Sequence, residues 1–201
     1  MNDSLLHAKD STLRALFAAD SIKVANDFAE KVKWSKMEAK AEYPLLKGGK
    51  FSSIIPVKDP TEIPDPNMDY KILFELTANN PDSTVKDINA GLDEIARVIN
   101  LHIASGIPVK RIMPVIVVHA AALNAIKNND AYKKKYKIDN PNIRLINDLE
   151  KIGARFIACG QAMEFFEVKK EELLPLVKVS ITAQTAITQY QLKGYVWHPL
   201  W

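Results

Sequence analysis

The sequence predicts an α/β protein: a three-layer α/β/α sandwich around a mostly parallel sheet of about five strands, preceded by an N-terminal helix and a proline-rich arm. Three observations predict it. Beyond residue 65, short apolar runs alternate with amphipathic stretches, the texture of βαβ units whose right-handed crossovers build parallel sheets. Residues 1–64 differ in texture: an Ala- and charge-rich segment comes first. A stretch with four prolines between Pro56 and Pro66 follows, which excludes a regular helix or central strand there. Finally, 47% of the 201 residues are hydrophobic but only 8% aromatic, so a substantial core has to be built from Ile, Leu, Val and Ala.

The elements follow in order. In the first segment Leu13, Leu16, Phe17, Val24, Phe28 and Val32 recur at roughly helical intervals. Residues 1–64 are therefore assigned to a helical and proline-rich extension, and 65–201 to the α/β domain. "YKILFEL" (Tyr70–Leu76) is the first buried strand. Asp82, Ser83 and Thr84 offer N-caps for a helix whose apolar face is Val85, Ile88, Leu92, Ile95, Ile99 and Ile103, stopped by Gly106. "IMPVIVV" (Ile112–Val118) is the second strand, and Pro114 inside it predicts an edge or bulged position for that part. Asn140 caps the next helix, with Pro141 at its first position, a face of Leu145, Ile146, Leu149 and Ile152, and Gly153 at its end. "RFIAC" (Arg155–Cys159) is the third strand and "VKVSITA" (Val177–Ala183) the fourth. A helix over Gln184–Lys193 ends at Gly194, and Tyr195–His198 forms a short last strand.

Composition narrows the function. A net charge of +3 and a pI of about 8.8 are too mild for a nucleic-acid-binding domain. A single cysteine excludes an internal disulfide framework and a cysteine-based zinc site. The longest apolar stretch falls far short of the ~20 residues of a spanning helix, so no membrane insertion is expected. "MNDSLLHAKD" lacks the apolar region of a signal peptide, and the compartment is periplasmic if such a peptide has been removed, otherwise cytoplasmic. There is no HExxH or similar ligand spacing, and no GxGxxG follows the first strand. "LKGGK" lacks the spacing of a phosphate loop, and no serine nucleophile elbow is present. Neither a metal nor a cofactor is expected. The basic run "YKKKYK" (Tyr132–Lys137), flanked by Asp130 and Asp139, reads as a solvated face.

In open parallel sheets the ligand crevice lies beyond the carboxyl ends of the strands. Cys159 is the last residue of the third strand, and His119 is the first after the second. Thr77 and Asn79 follow the first strand, and Thr182 closes the fourth. Gly160 and Gln161 open a short helix, whose unpaired N–H groups and positive end would favour a nucleophilic thiolate on Cys159. Gly160 also allows close backbone approach to a ligand or a positive φ. The other reading of Cys159 is a small buried hydrophobe. His119 either orients and deprotonates a nucleophile or caps the following helix. His102 reads as a packing or surface residue, and His7 and His198 have no partners in sequence.

From "YKILFEL" to the C-terminus, about two thirds of the chain resembles the DsrE-like sulfur-relay family (the DsrE, DsrF, TusD and YchN group), in a subgroup with an N-terminal extension. The resemblance is carried by "INLHIASGIP", "PVIVVHAAAL", "NPNIRLINDLEKIGARFIACGQAM" and "EELLPLVKVSITAQTAITQYQLKGY". It implies a compact α/β/α sandwich assembled as a trimer or hexamer. The cysteine matching Cys159 would carry sulfane sulfur as a persulfide, received from a donor protein and released to an acceptor thiol. His119 matches a histidine of the same loop. On this resemblance Cys159 and His119 are the catalytic candidates, and Gly160, Gln161, Thr77 and Asn79 the ligand-binding ones. The alternative is a noncatalytic small-ligand-binding or assembly module with a structural Cys159.

Overall fold

The computed structural model describes residues 3–198 and 200, with side chains from Ala18 onward. The chain forms two compact units, the first ending at Ala41 and the second beginning at Glu42. The first unit is the expected helix, α1 (Asp3–Glu38), 36 residues and about 54 Å long at 1.5 Å per residue. Leu13, Leu16, Phe17 and His7 lie outside the described side chains. The remaining members of the anticipated apolar face, Val24, Phe28 and Val32, are exposed. Among the described residues no helix is long and apolar enough to cross a membrane.

The second unit is built on five strands: β1 (Tyr70–Leu76), β2 (Ile112–Val118), β3 (Arg155–Cys159), β4 (Lys178–Ser180) and β5 (Val196–His198). Their order is β4-β3-β2-β1-β5, and every pairing is parallel. The α/β/α expectation holds. Alternation along each strand splits the core in two. Ile72, Phe74, Ile116, Val118, Phe156 and Ala158 face α2 (Ala90–Ala104) and α4 (Ile143–Lys151), which contribute Leu92, Ile95, Ile99, Leu145, Ile146 and Leu149. On the opposite face Leu73, Val115, Val117, Ile157 and Cys159 pack against Ala183 and Ala186 of α6 (Ala183–Leu192).

Several sequence expectations are corrected in detail. β2 as a whole lies at the centre of the sheet, but the part holding Pro114 pairs with β1 alone and is an edge there, as expected. Pro114 is tolerated because pairing with β3 begins only at Val115, so the missing N–H falls before that ladder. The helix expected from Val85 begins at Ala90. Residues 82–84 form a single 3₁₀ turn, and Asn89 is the N-cap, its side chain accepting from the Gly91 and Leu92 amides at 3.0 and 3.3 Å. The Asn140 helix begins at Ile143, and the Asn140 side chain instead closes the preceding turn by accepting from the Asn142 amide at 2.9 Å. Gly106 and Gly153 stop α2 and α4 as expected, at φ of 88° and 93°. The fourth strand is only three residues long, because Thr182 leaves it to cap α6, accepting from the Gln184 amide at 3.2 Å.

The basic run forms α3 (Asn129–Tyr136), with Lys133, Lys134 and Lys135 exposed and Lys133 paired with Asp139 at 2.8 Å. Tyr132 turns inward and donates to the Val85 carbonyl at 2.7 Å, and burial pushes its hydroxyl pKa up to about 12. The proline-rich strap is fastened to the rest of the second unit by two polar side chains on α2. Fully buried Asn100 accepts from the Leu45 and Leu46 amides at 3.1 and 2.9 Å and donates to the Leu46 and Ser52 carbonyls at 2.7 and 2.8 Å. Asp93 accepts from the Gly49 and Phe51 amides at 2.7 and 2.8 Å. Leu46 and Ile54 of the strap are buried.

Candidate functional site

The carboxyl edge of the sheet carries the candidates, and its register decides which of them meet. Glu75 pairs with Val117, and Val117 with Ile157. Paired residues of a parallel sheet point to the same face, as do residues two apart along a strand. Glu75, His119 and Cys159 therefore all belong to the face covered by α6, on three consecutive strands. His119 continues β2 with extended backbone (φ −148°, ψ −178°), its amide donating to the Leu76 carbonyl at 3.0 Å. Ala120 then takes φ 53°, in the left-handed region that L-residues rarely visit, and turns the chain into a 3₁₀ segment over Ala120–Ile126. That turn leaves His119 as the last residue on the sheet face.

Cys159 is 5% exposed, belongs to the apolar cluster of this face with Val117, Ile157, Ala183 and Ala186, and is aligned with Ser180 of β4. The Ser180 hydroxyl is engaged locally, within 3.2 and 3.1 Å of the Ala158 and Thr182 carbonyls. Gly160 is not in the left-handed region. Its need for glycine is close approach: a Cβ there would lie 2.7 Å from the Ser180 carbonyl oxygen and 3.2 Å from that of Ile181. The Gln161 amide donates to the Ile181 carbonyl at 3.1 Å, so it fastens α5 (Gly160–Phe165) to β4 rather than facing an open site. The Gln161 side chain is exposed.

Thr77 and Asn79 leave the edge in another direction. The Thr77 carbonyl accepts from the Ala122 amide at 3.1 Å, and the Asn79 side chain donates to the Asn80 carbonyl and the Tyr136 hydroxyl, each at 3.1 Å. The structure thus joins Cys159 and His119 on one face, with Gly160 and Gln161 behind them against β4, while Asn79 ties the first loop to α3. His102 is half-buried, edge-on to Tyr70 with ring centroids 5.5 Å apart.

Sequence reasoning passed over Glu75. Its Oε1 lies 2.9 Å from His119 Nε2, and both side chains are 27% exposed. A signal was available: "YKILFEL" has one acid among the apolar residues that follow Lys71, and a carboxylate on a covered sheet face needs a partner. What the arrangement holds chemically is a thiol and an imidazole at adjacent strand positions of one face, and a carboxylate bonded to the imidazole. Among the described residues no group of three or more His, Cys, Asp or Glu side chains is placed to hold a metal ion.

Comparison with known proteins adds three findings. The model of the DsrE/DsrF-like family matches residues 71–197. No curated protein matches. The solved structure of a protein of unknown function, MTH1491 from Methanobacterium thermoautotrophicum, is 20% identical, with a TM-score of 0.47, over 65% of this chain and 99% of its own.

Proposed function

This chain belongs to the DsrE/DsrF-like family, and from that premise we propose that it carries sulfane sulfur as a persulfide on Cys159 between a donor and an acceptor protein. The observation that carries the reading is the position of the chain's one cysteine: it ends β3 at the carboxyl edge of the sheet, beside His119 on the neighbouring strand. The Cys159 thiolate attacks the outer sulfur of a donor persulfide. The new S–S bond forms on Cys159 as the donor's S–S bond breaks, and the donor leaves as a thiolate. An acceptor thiolate then attacks the outer sulfur on Cys159 and restores the thiol. One cysteine suffices for carrying; an intramolecular dithiol cycle would need two.

A second reading has an observation in its favour. Cys159 is almost fully enclosed by apolar side chains, which suits a structural residue in a binding or assembly module. Exposing the native protein to a small-molecule persulfide and weighing it decides between them. Gain of one sulfur by wild type but not by Cys159→Ser supports the carrier. A native thiol that stays unmodified, and is alkylated only after denaturation, supports the module.

The reading extends to self-assembly as a homotrimer or homohexamer. Phe165, Phe166 and Ile181 are 79%, 47% and 80% exposed and cluster by sequence around α5 and the edge strand β4, an apolar surface suited to a second copy. A solution mass of three or six chains is expected, and a monomer at micromolar concentration would contradict it.

A further inference from the structure

Glu75 sits where the strand pattern asks for an apolar residue. Its neighbours on the same face, Leu73 and Val117, are fully buried, and its hydrogen-bonding partner among the described residues is His119 Nε2 at 2.9 Å. An ionised carboxylate can only accept, so the neutral imidazole must donate from Nε2. The lone pair is thereby confined to Nδ1, which has no partner among the described residues. One strand further along the same edge is Cys159, a single step past the Val118–Ala158 pair, with strands about 4.8 Å apart. The Ser180 hydroxyl, on the other side of Cys159, has its one proton within reach of two carbonyls and is no base at neutral pH, which leaves His119 as the neighbouring base.

We propose that Glu75 is a positioning residue which holds His119 with its proton on Nε2, so that Nδ1 takes the proton from the Cys159 thiol. The proposal rests on the persulfide reading above. In the step, the Sγ proton moves to Nδ1, directly or through one water, and Glu75 stabilises the imidazolium. The thiolate attacks the outer sulfur of the donor persulfide, the donor's S–S bond breaks, and its departing thiolate recovers the proton from Nδ1. Nothing is oxidised or reduced overall. No hydrogen bond joins His119 to Cys159 among the described residues; such bonds are commonly long in unliganded enzymes and tighten when substrate binds.

The competing explanation is a structural tie between β1 and the end of β2. The test compares the full-length wild type, Glu75→Gln, His119→Gln and the double variant. It measures the rate at which glutathione persulfide loads Cys159, by mass spectrometry, and the ring ¹⁵N shifts of His119. Expected are loading about a hundredfold slower in H119Q and at least about tenfold slower in E75Q. The double variant should be no slower than H119Q alone, because Glu75 acts through the ring. The wild-type ring should show the Nε2–H tautomer, and that preference should be lost in E75Q. Loading of E75Q at the wild-type rate, additive losses in the double variant, or an Nδ1–H tautomer in the wild type each overturns the proposal. The last readout needs no variant to fold. If wild type and E75Q load equally, the carrier survives and the positioning role falls; if wild type gains no sulfur, both fall.

Discussion

Replacing Gly160 with alanine tests whether the close approach of β3 to β4 holds Cys159 in place. The added Cβ would lie 2.7 Å from the Ser180 carbonyl oxygen and 3.2 Å from that of Ile181, whereas ordinary contact begins near 3.4 Å. Both obstacles are backbone, so no side chain can rotate away; the strands must separate by up to 0.7 Å, the difference between 3.4 and 2.7 Å. The separation falls on the Cys159–Ser180 pair and on the 3.1 Å bond from the Gln161 amide to the Ile181 carbonyl. Overpacking of this kind costs about 1–3 kcal/mol. The lower entropy of the unfolded alanine variant offsets about 0.4–1 kcal/mol of that. The net loss is about 1–2 kcal/mol, a fall in melting temperature of roughly 2–8 °C for a unit of this size. Urea denaturation reads the stability, and alkylation of the native protein reads the thiol. G160A should unfold at lower urea and expose Cys159 to faster alkylation. A variant as stable as wild type, with an equally protected thiol, would show that the close approach at Gly160 does not hold Cys159 in place.

Two other substitutions probe the rest of the second unit. Asn100→Asp removes the donors to the Leu46 and Ser52 carbonyls and buries a charge against them; the expected cost is about 3 kcal/mol or more. Limited proteolysis should then cut the strap within residues 47–53, and a strap as resistant as in wild type would contradict the tether. His198, stacked at 5.7 Å from Phe74, has its pKa lowered, chiefly by burial. Since its folded value lies below the unfolded ~6.5, the unfolded chain takes the proton more readily. Stability is full above about pH 6.5 and falls as pH drops through the folded value. His198→Asn should flatten that part of the stability curve, and an unchanged slope would exclude His198 as its source.

The elements whose signals are local could be read from sequence. Tyr70–Leu76, Ile112–Val118 and Arg155–Cys159 are apolar runs bounded by breakers, and all three are strands at those limits. Gly106 and Gly153 announce helix ends because only glycine enters the left-handed region without strain. The parallel sheet and its two faces followed from the alternation of the elements. Asn89 was missed as the cap because Asp82, Ser83 and Thr84 offered the same chemistry earlier, and local sequence cannot say which acceptor the helix will use. Pro114 correctly marked a part of β2 unpaired on one side, but the central place of the rest of the strand depends on where β3 begins to pair, a long-range property. The role of Asn100 in fastening the strap spans more than fifty residues and has no local signature. The candidate site divides in the same way. Cys159 and His119 were visible as strand-end residues, but their shared face depends on the order β3-β2-β1. Glu75 entered only when the register set it beside His119.

A sulfur carrier must both accept and release sulfur on Cys159 in the folded protein. The most direct measurement loads full-length protein with a small-molecule persulfide, removes the excess, adds an acceptor thiol and follows the intact mass through both stages. A gain of one sulfur, located on Cys159, is expected, followed by its loss as the acceptor gains it. A folded protein whose mass never changes, or one modified on Cys159 that cannot pass the sulfur on, would contradict it.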